Sequence, residues 1–195
     1  DEKERVFYTM KYVRGITLRK VLDLLFQGQK ETLEKYPLAK LLTVFQKVCD
    51  AIAFAHAKGV IHRDLKPENF MIGDYGEVLV MDWGLAKVGA AGAPLSPGGR
   101  GAGGEGERDA AISQMVKSLR DESGGTMTLD GTIIGTPHYM PPEQADGLIE
   151  QIDARSDIYS LGAILYELLT LKTPCEGNNI HNLIMNVSQG NIKPP

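Results

Sequence analysis

His62-Arg63-Asp64-Leu65-Lys66-Pro67-Glu68-Asn69 is the stretch that decides how the rest of the chain is interpreted. Within eight residues it offers a carboxylate at Asp64, an ammonium group at Lys66 and an amide oxygen at Asn69. A solvated charged loop is the alternative, but this combination in this order is rare by chance. The stretch therefore predicts a reactive loop.

A second chemical signal, Asp82-Trp83-Gly84, follows the strand-like residues Val78–Met81, thirteen residues after Asn69. An aspartate at the end of an apolar strand is well placed to hold a metal ion, although alone it is better read as a turn residue. Phosphoryl transfer needs a proton-accepting carboxylate, a cation near the transferred group and oxygen ligands for Mg²⁺. The two segments together supply all three.

Around these motifs the pattern predicts helices with a few short strands. A strand is predicted at Val6–Val13, and Thr17 is expected to cap a helix through Leu25. Pro37 opens a longer helix whose apolar residues fall on one face, and Gly59 ends it. A hairpin joins Phe70–Ile72 to Val78–Met81. Further helices are predicted at Pro141–Ala145, Asp157–Leu171 and Asn178–Val187.

Composition excludes several classes of protein. The 195 residues are 43% hydrophobic and 24% charged, which is ordinary for a globular domain. A net charge of −4 disfavours nucleic-acid binding, and no apolar run approaches the roughly 20 residues of a membrane span. Cys49 and Cys175 are expected to be reduced thiols. The Gly-rich insert at about 88–127 is expected to be flexible.

The order of three motifs resembles that of a known family. His62–Asn69, Asp82-Trp83-Gly84 and Pro141-Pro142-Glu143 are similar to the signature set of bacterial-type (eukaryotic-like, Hanks-type) serine/threonine protein kinases. The resemblance implies an α+β, protein kinase-like fold: a mainly helical C-terminal lobe with short β hairpins, and an N-terminal lobe largely outside the chain.

The same resemblance divides residues 1–195, a partial kinase domain, into segments. It implies an interlobe hinge at 8–15, a catalytic loop at 62–69, an activation segment at 82–143 that contains the insert, and a helical subdomain at 144–195. ATP and Mg²⁺ are the implied cofactors.

Catalytic roles follow by resemblance. Asp64 would be the base, Lys66 would contact the γ-phosphate, and Asn69 and Asp82 would bind Mg²⁺. In the hinge, Met10 would be the gatekeeper, while the backbones of Lys11 and Val13 would bind adenine. Met71 would form the floor under the adenine, and a plain core-strand role for it is equally compatible with the spacing.

Regulatory roles are implied for threonines and one arginine. Arg63 would meet a phosphorylated residue of the activation segment, and Thr136, in Gly135-Thr136-Pro137, would face the substrate. Autophosphorylation is hypothesised at Thr126, Thr128 or Thr132, with an inert spacer as the alternative.

Structural roles are implied for His62, Gly84, Glu143 and Asp157. Asp157 would anchor the catalytic-loop backbone, although an acid at a helix N-terminus would also be stabilised by the helix dipole. Glu143 is expected to lack its usual arginine partner and to be unpaired. Trp83 replaces the usual phenylalanine, which can alter switching between active and inactive states.

Two histidines lack metal-ligand spacing. His56 is read as a helix residue packed near the catalytic loop, and His138 as part of the substrate-facing segment.

The expected function is phosphorylation of protein Ser/Thr residues by a cytoplasmic signalling kinase, with possible self-association for autophosphorylation. The parent could be membrane-anchored outside this segment. Because no Gly-rich loop or strand lysine precedes the hinge, the 195 residues alone are expected to be inactive. A non-catalytic binding or scaffold module is the alternative, and the Gly-Thr-Pro segment disfavours a small-molecule kinase.

Overall fold

The computed structural model describes residues 13–88 and 137–195. Nearly all of the predicted strand Val6–Val13 and of the insert at about 88–127 lies outside these ranges. Val13 is described, half-buried and outside any strand. Six predicted site residues also lie outside the described ranges, namely Met10, Lys11, Thr126, Thr128, Thr132 and Thr136.

The first described elements are a short strand and the helix predicted after Thr17. Strand β1 (Ile16–Thr17) leads into α1 (Leu18–Phe26). Oγ1 of Thr17 accepts a hydrogen bond from the backbone amide of Lys20 at 3.2 Å. This contact satisfies one of the free amide groups of the first helical turn, which explains why the helix begins there.

Helix α2 (Lys30–Lys35) is not predicted by the sequence pattern. Its only buried residue is Thr32, so it shows no apolar period. The longer helix, α3 (Leu38–Ala57), begins after Pro37 as predicted. Its buried residues recur at intervals of three and four and form one face, comprising Leu41, Val44, Val48, Ile52 and Ala55.

Two small antiparallel sheets hold the loop at 62–69 between them. In one sheet β3 (Phe70–Ile72) lies between β1 and β4 (Val78–Val80), and in the other β2 (Val60–Ile61) pairs with β5 (Lys87–Val88). The loop therefore leaves β2 of one sheet and enters β3 of the other, which fixes both of its ends.

The second described range is helical. It contains α4 (Pro142–Ala145), α5 (Ala154–Thr170) and α6 (Ile180–Ser188), with 3₁₀ turns at Pro137–Tyr139 and Ile149–Gln151. Helix α5 begins three residues before the predicted Asp157, because Asp153 caps it in a capping box with Ser156. Helix α6 begins two residues after the predicted Asn178, where Oδ1 of Asn179 accepts from the amide of Asn182 at 2.8 Å.

The main hydrophobic core joins α1, α3, β3 and α5. Its fully buried members include Leu22, Ile52, Phe70 and Ile164. The mainly helical α+β class with short β hairpins is confirmed. Within the described ranges, no helix combines the length and the apolar character needed to cross a membrane.

Candidate functional site

Asp64 and Lys66 form an ion pair at the centre of the loop. Nζ of Lys66 lies 2.7 Å from Oδ2 of Asp64, and the side chains are 19% and 22% exposed, respectively. Lys66 has an extended backbone, and residues two apart in an extended segment project to the same side. The contact engages one oxygen of the Asp64 carboxylate, so the pair combines a fixed cation with a carboxylate that solvent can reach.

Asn69 and Asp82 are brought together by the two strands that follow the loop. The side-chain amide nitrogen of Asn69 donates to the carbonyl of Asp64 at 2.8 Å, which orients its Oδ1 as the free end of the amide. The backbone amide of Met81 donates to the carbonyl of Asn69 at 2.8 Å, so the next residue, Asp82, emerges beside Asn69. The Asp82 side chain is exposed, and its φ is 60°.

His62 ties the loop to the residue before Asp82. The imidazole is fully buried, with Nε2 at 3.0 Å from the Met81 carbonyl and Nδ1 accepting from the Asp64 amide at 3.3 Å. Because a carbonyl can only accept, Nε2 carries the proton, and the neutral ring satisfies both contacts. His62 thus holds Asp64 and the start of the Asp82 segment against each other.

Asp157, in the first turn of α5, holds the loop backbone. Its Oδ2 and Oδ1 accept from the backbone amides of His62 and Arg63, each at 2.9 Å. Arg63 has φ of 69°, a left-handed conformation that costs a non-glycine residue about 1–2 kcal/mol. The hydrogen bonds to Asp157 offset that cost. Asp157 is both a helix N-terminal acid and a partner of the loop backbone.

Trp83 packs against the buried His62 ring. Its ring centroid is 4.6 Å from that of His62, and its Nε1 donates to the Val80 carbonyl at 3.0 Å. Gly84 keeps the space beside the metal-ligand candidate open, since a side-chain carbon at 84 would lie 3.3 Å from Oδ1 of Asp82.

The structure contradicts the expectation that Glu143 is unpaired. The sequence predicts an unpaired carboxylate, but Oγ of Ser156 donates a hydrogen bond to Oε1 of Glu143, which is half-buried. The expectation was wrong because it considered only an arginine partner, whereas a hydroxyl group on the first turn of α5 serves as the donor.

Arg63, Asp64 and Lys66 line one small cavity together with Tyr139 and Met140. The loop therefore faces the segment that directly follows Thr136. Met71 lies further along, half-buried in β3, where it pairs with Thr17 and Leu79.

Sequence reasoning missed several polar contacts on α5. Ser156 binds Glu143, and Ser160 Oγ donates to the Tyr139 carbonyl at 2.7 Å. Glu167, buried in the apolar part of the helix, contacts Arg19. The signal for the last of these contacts was Glu167 itself, a charged residue within the apolar stretch of the helix.

The metal-ligand candidates consist of one carboxylate and one amide oxygen. Such a pair suits a hard cation such as Mg²⁺, which usually takes one or two protein ligands and completes its shell with phosphate and water oxygens. The part of the chain that the structure describes has no group of three or more His, Cys, Asp or Glu side chains placed to bind a metal unaided. The donor set therefore fits a metal delivered with phosphate groups.

Comparison with known proteins supports the resemblance to protein kinases that the sequence motifs indicate. A family model described as the protein kinase domain matches residues 1–98 and 114–193. A serine/threonine-protein kinase PknD of Protochlamydia amoebophila (strain UWE25) is 39% identical over 199 residues, covering 100% of this chain and 18% of that protein.

Two further relatives carry the same name. The PknD of Chlamydia trachomatis serovar D (strain ATCC VR-885 / DSM 19411 / UW-3/Cx) is 38% identical over 177 residues, and that of Chlamydia pneumoniae is 36% identical over 177 residues. Each match covers 89% of this chain, and 18% and 17% of the respective relative. The chain thus spans less than a fifth of the length of these relatives.

Proposed function

The chain belongs to the protein kinase family, and from this premise we propose that the protein is a serine/threonine kinase. It transfers the γ-phosphate of ATP to Ser or Thr hydroxyl groups of proteins in signalling. The observation that carries this proposal is the Asp64–Lys66 pair, 2.7 Å apart on a loop whose backbone is held by Asp157.

Asp64 is proposed to accept the proton of the attacking hydroxyl group. A base must be fixed within hydrogen-bonding reach of that proton, and the loop supplies the rigidity through His62 and Asp157. Lys66 is proposed to contact the γ-phosphate, where its positive charge stabilises the charge that develops during transfer. Lysine at this position also favours the serine/threonine class by resemblance.

Asn69 and Asp82 are proposed to hold Mg²⁺, and a bound Mg²⁺ neutralises charge on the phosphates of ATP. Support comes from the adjacency of the two residues across β3 and β4, from the orientation of the Asn69 amide, and from the exposure of Asp82. Met71 is proposed to lie under the adenine, with Met10, Lys11 and Val13 in the hinge.

The remaining assignments belong to the same proposal. The chain is divided into hinge (8–15), catalytic loop (62–69), activation segment (82–143) and helical subdomain (144–195). Arg63 receives a phosphorylated residue, Thr136 faces the substrate, and autophosphorylation after self-association falls at Thr126, Thr128 or Thr132.

A cytoplasmic location is supported by Cys49 and Cys175, which are free thiols.

The experiment is radiolabelled phosphotransfer from ATP to a protein substrate by the full-length protein, compared with its Asp64→Asn variant. Loss of a general base is expected to reduce the rate by about 10²–10⁴-fold. Asp50→Asn, on an exposed position of α3, is the matched control and should retain full activity. Equal incorporation by wild type and Asp64→Asn would reject Asp64 as the base.

If the wild type also shows no incorporation with any substrate, the binding-module alternative is favoured. Phosphopeptide mass spectrometry after incubation with ATP tests the regulatory part. Unmodified peptides across residues 121–136 would reject the proposed autophosphorylation sites.

A further inference from the structure

A polar cluster with a buried centre joins α1, the 3₁₀ turn at Pro137–Tyr139 and α5. Nη1 of Arg19 lies 2.7 Å from Oε1 of Glu167 and 3.0 Å from the hydroxyl oxygen of Tyr139. Nε of Arg19 donates to Oδ1 of Asp23 at 2.8 Å, one turn along α1. The Tyr139 hydroxyl donates to the other Glu167 oxygen, Oε2. One guanidinium group therefore connects elements that are 120 and 148 residues away in sequence.

Burial makes Glu167 and Tyr139 depend on their partners in the cluster. Glu167 is 4% and Tyr139 is 2% exposed. A buried carboxylate is unfavourable without a cationic partner, and Arg19 supplies one. Burial, followed by the charge of Glu167, raises the pKa of Tyr139, so its hydroxyl stays a donor. Burial is the largest single influence on Arg19 and lowers its pKa, but the hydrogen bond to Glu167 and the nearby negative charges together exceed it and raise the pKa.

Tyr139 is fixed at both ends and faces the catalytic loop. Its hydroxyl group is held by the cluster, and its carbonyl accepts from Oγ of Ser160 at 2.7 Å. Tyr139 and Met140 line the same cavity as Asp64 and Lys66. A shift of Tyr139 would therefore change the shape of the cavity that Asp64 and Lys66 also line.

We propose that Arg19 is a positioning residue for the polypeptide substrate, acting through Glu167 and Tyr139. It fixes residues 137–140, two of which line the same cavity as Asp64, so it sets the affinity for the acceptor polypeptide without touching the reacting groups. The effect on substrate affinity rests on the kinase function proposed above, whereas the effect on the placement of residues 137–140 does not.

The first test measures the placement directly by amide hydrogen exchange on the full-length protein. The amide of Met140 donates to the Pro137 carbonyl at 3.2 Å and reports on the 3₁₀ turn. Arg19→Met is expected to speed its exchange about tenfold, the size expected for loss of a hydrogen bond to a charged group. Lys20→Met, on the adjacent exposed position of the same helix, is the control. Equal exchange in the two variants would overturn the proposal.

The second test separates affinity for polypeptide from affinity for nucleotide. Arg19→Met should raise KM for a peptide substrate about tenfold and leave KM for ATP within about twofold, while Arg19→Lys, which keeps the charge, should recover part of the loss. Equal changes in both constants, or none, would contradict a positioning role.

A double variant distinguishes a positioning effect of Arg19 from misfolding caused by the unpaired buried carboxylate of Glu167. In a Glu167→Gln background, Arg19→Met should add less than about twofold to KM for the peptide, because the two residues act as one unit. Additive effects would refute action through Glu167. If the wild type transfers no phosphate, the proposed kinase function fails, and the exchange measurement alone decides whether Arg19 positions residues 137–140.

Discussion

The imidazole of His56 and the carboxylate of Asp157, 101 residues apart in the chain, meet with 2.7 Å between Nε2 and Oδ2. Oδ2 also accepts a hydrogen bond from the backbone amide of His62, so one oxygen atom receives hydrogen bonds from the end of α3 and from the loop at 62–69. Because Asp157 is 1% exposed, these donors replace the water that the carboxylate loses on folding.

We predict that His56→Phe lowers the free energy of unfolding by about 1–3 kcal/mol, since it removes a donor to a buried charge. Equilibrium urea denaturation of the protein measures the change. His181→Phe, at an exposed position of α6, is the control and should change stability by less than about 0.5 kcal/mol. Equal losses in both variants would show that the contact with Asp157 contributes nothing.

Gly15 and Gly28 should respond differently to the same substitution. Both have positive φ, of 145° and 71°. A side-chain carbon at 15 would collide with the carbonyl oxygen of Ile72, whereas one at 28 meets no atom within 4 Å. Gly28→Ala should therefore cost about 1–2 kcal/mol of backbone strain. Gly15→Ala should cost roughly 1–3 kcal/mol more, because the paired strands β1 and β3 must move apart. Thermal unfolding of both variants tests the difference, and similar losses would contradict it.

His138 should make stability depend on pH. Burial, assisted by the charge of Arg19, lowers its pKa below the ordinary value of 6.5, while Glu167 acts in the opposite direction. Its Nδ1 is buried and has no hydrogen-bond partner among the described residues. In the unfolded chain His138 binds a proton near pH 6.5, whereas in the folded chain it binds one only at lower pH. The stability that comes from burying the neutral imidazole is therefore fully present above pH 6.5 and is lost as the pH falls through the folded-state pKa of His138.

The check is the free energy of unfolding at about pH 7.5 and pH 5.5, either side of the ordinary histidine pKa. The decrease between them should be smaller in His138→Phe than in the wild type, and unchanged in His181→Phe. An NMR titration that finds the His138 pKa at or above 6.5 would refute the explanation.

Trp83→Phe should be mild. It removes the hydrogen bond from Nε1 to the Val80 carbonyl, but Trp83 is 37% exposed, so water can reach that carbonyl. The expected loss is about 0.5–1.5 kcal/mol, with phosphotransfer retained because Asp82 is unchanged. Stability and activity assays on the full-length protein measure both. Abolished phosphotransfer would show that the larger ring has a role in holding Asp82.

The sequence predicts most of the described fold, because apolar periodicity and caps are local signals. Thr17, Pro37 and the hairpin after Phe70 mark elements that the structure contains. Helix α2 escapes prediction because it buries only Thr32. The start of α5 is misjudged because the reciprocal bonding of Asp153 and Ser156 outweighs the apolar pattern as a start signal.

The site was predictable only in part. The motif at residues 62–69 places several informative residue types close together, so it can be recognised in the sequence. The structure shows how His62 and Asp157 hold the backbone of this loop. Contacts between distant residues leave no local pattern, so the pairings of Arg19 with Glu167 and of Ser156 with Glu143 could not be predicted. Glu167, a charged residue within the apolar stretch of α5, was the available hint for the first of these pairings.

The dependence of the loop at 62–69 on α5 has a consequence for synthesis on the ribosome. Asp157 is made 95 residues after His62, so the loop backbone has no carboxylate to hold it while the intervening chain is being translated. At about 5–20 residues per second, that interval lasts roughly 5–20 s. The nascent chain therefore carries Asp64 and Lys66 for several seconds before Asp157 is available to hold the backbone of their loop.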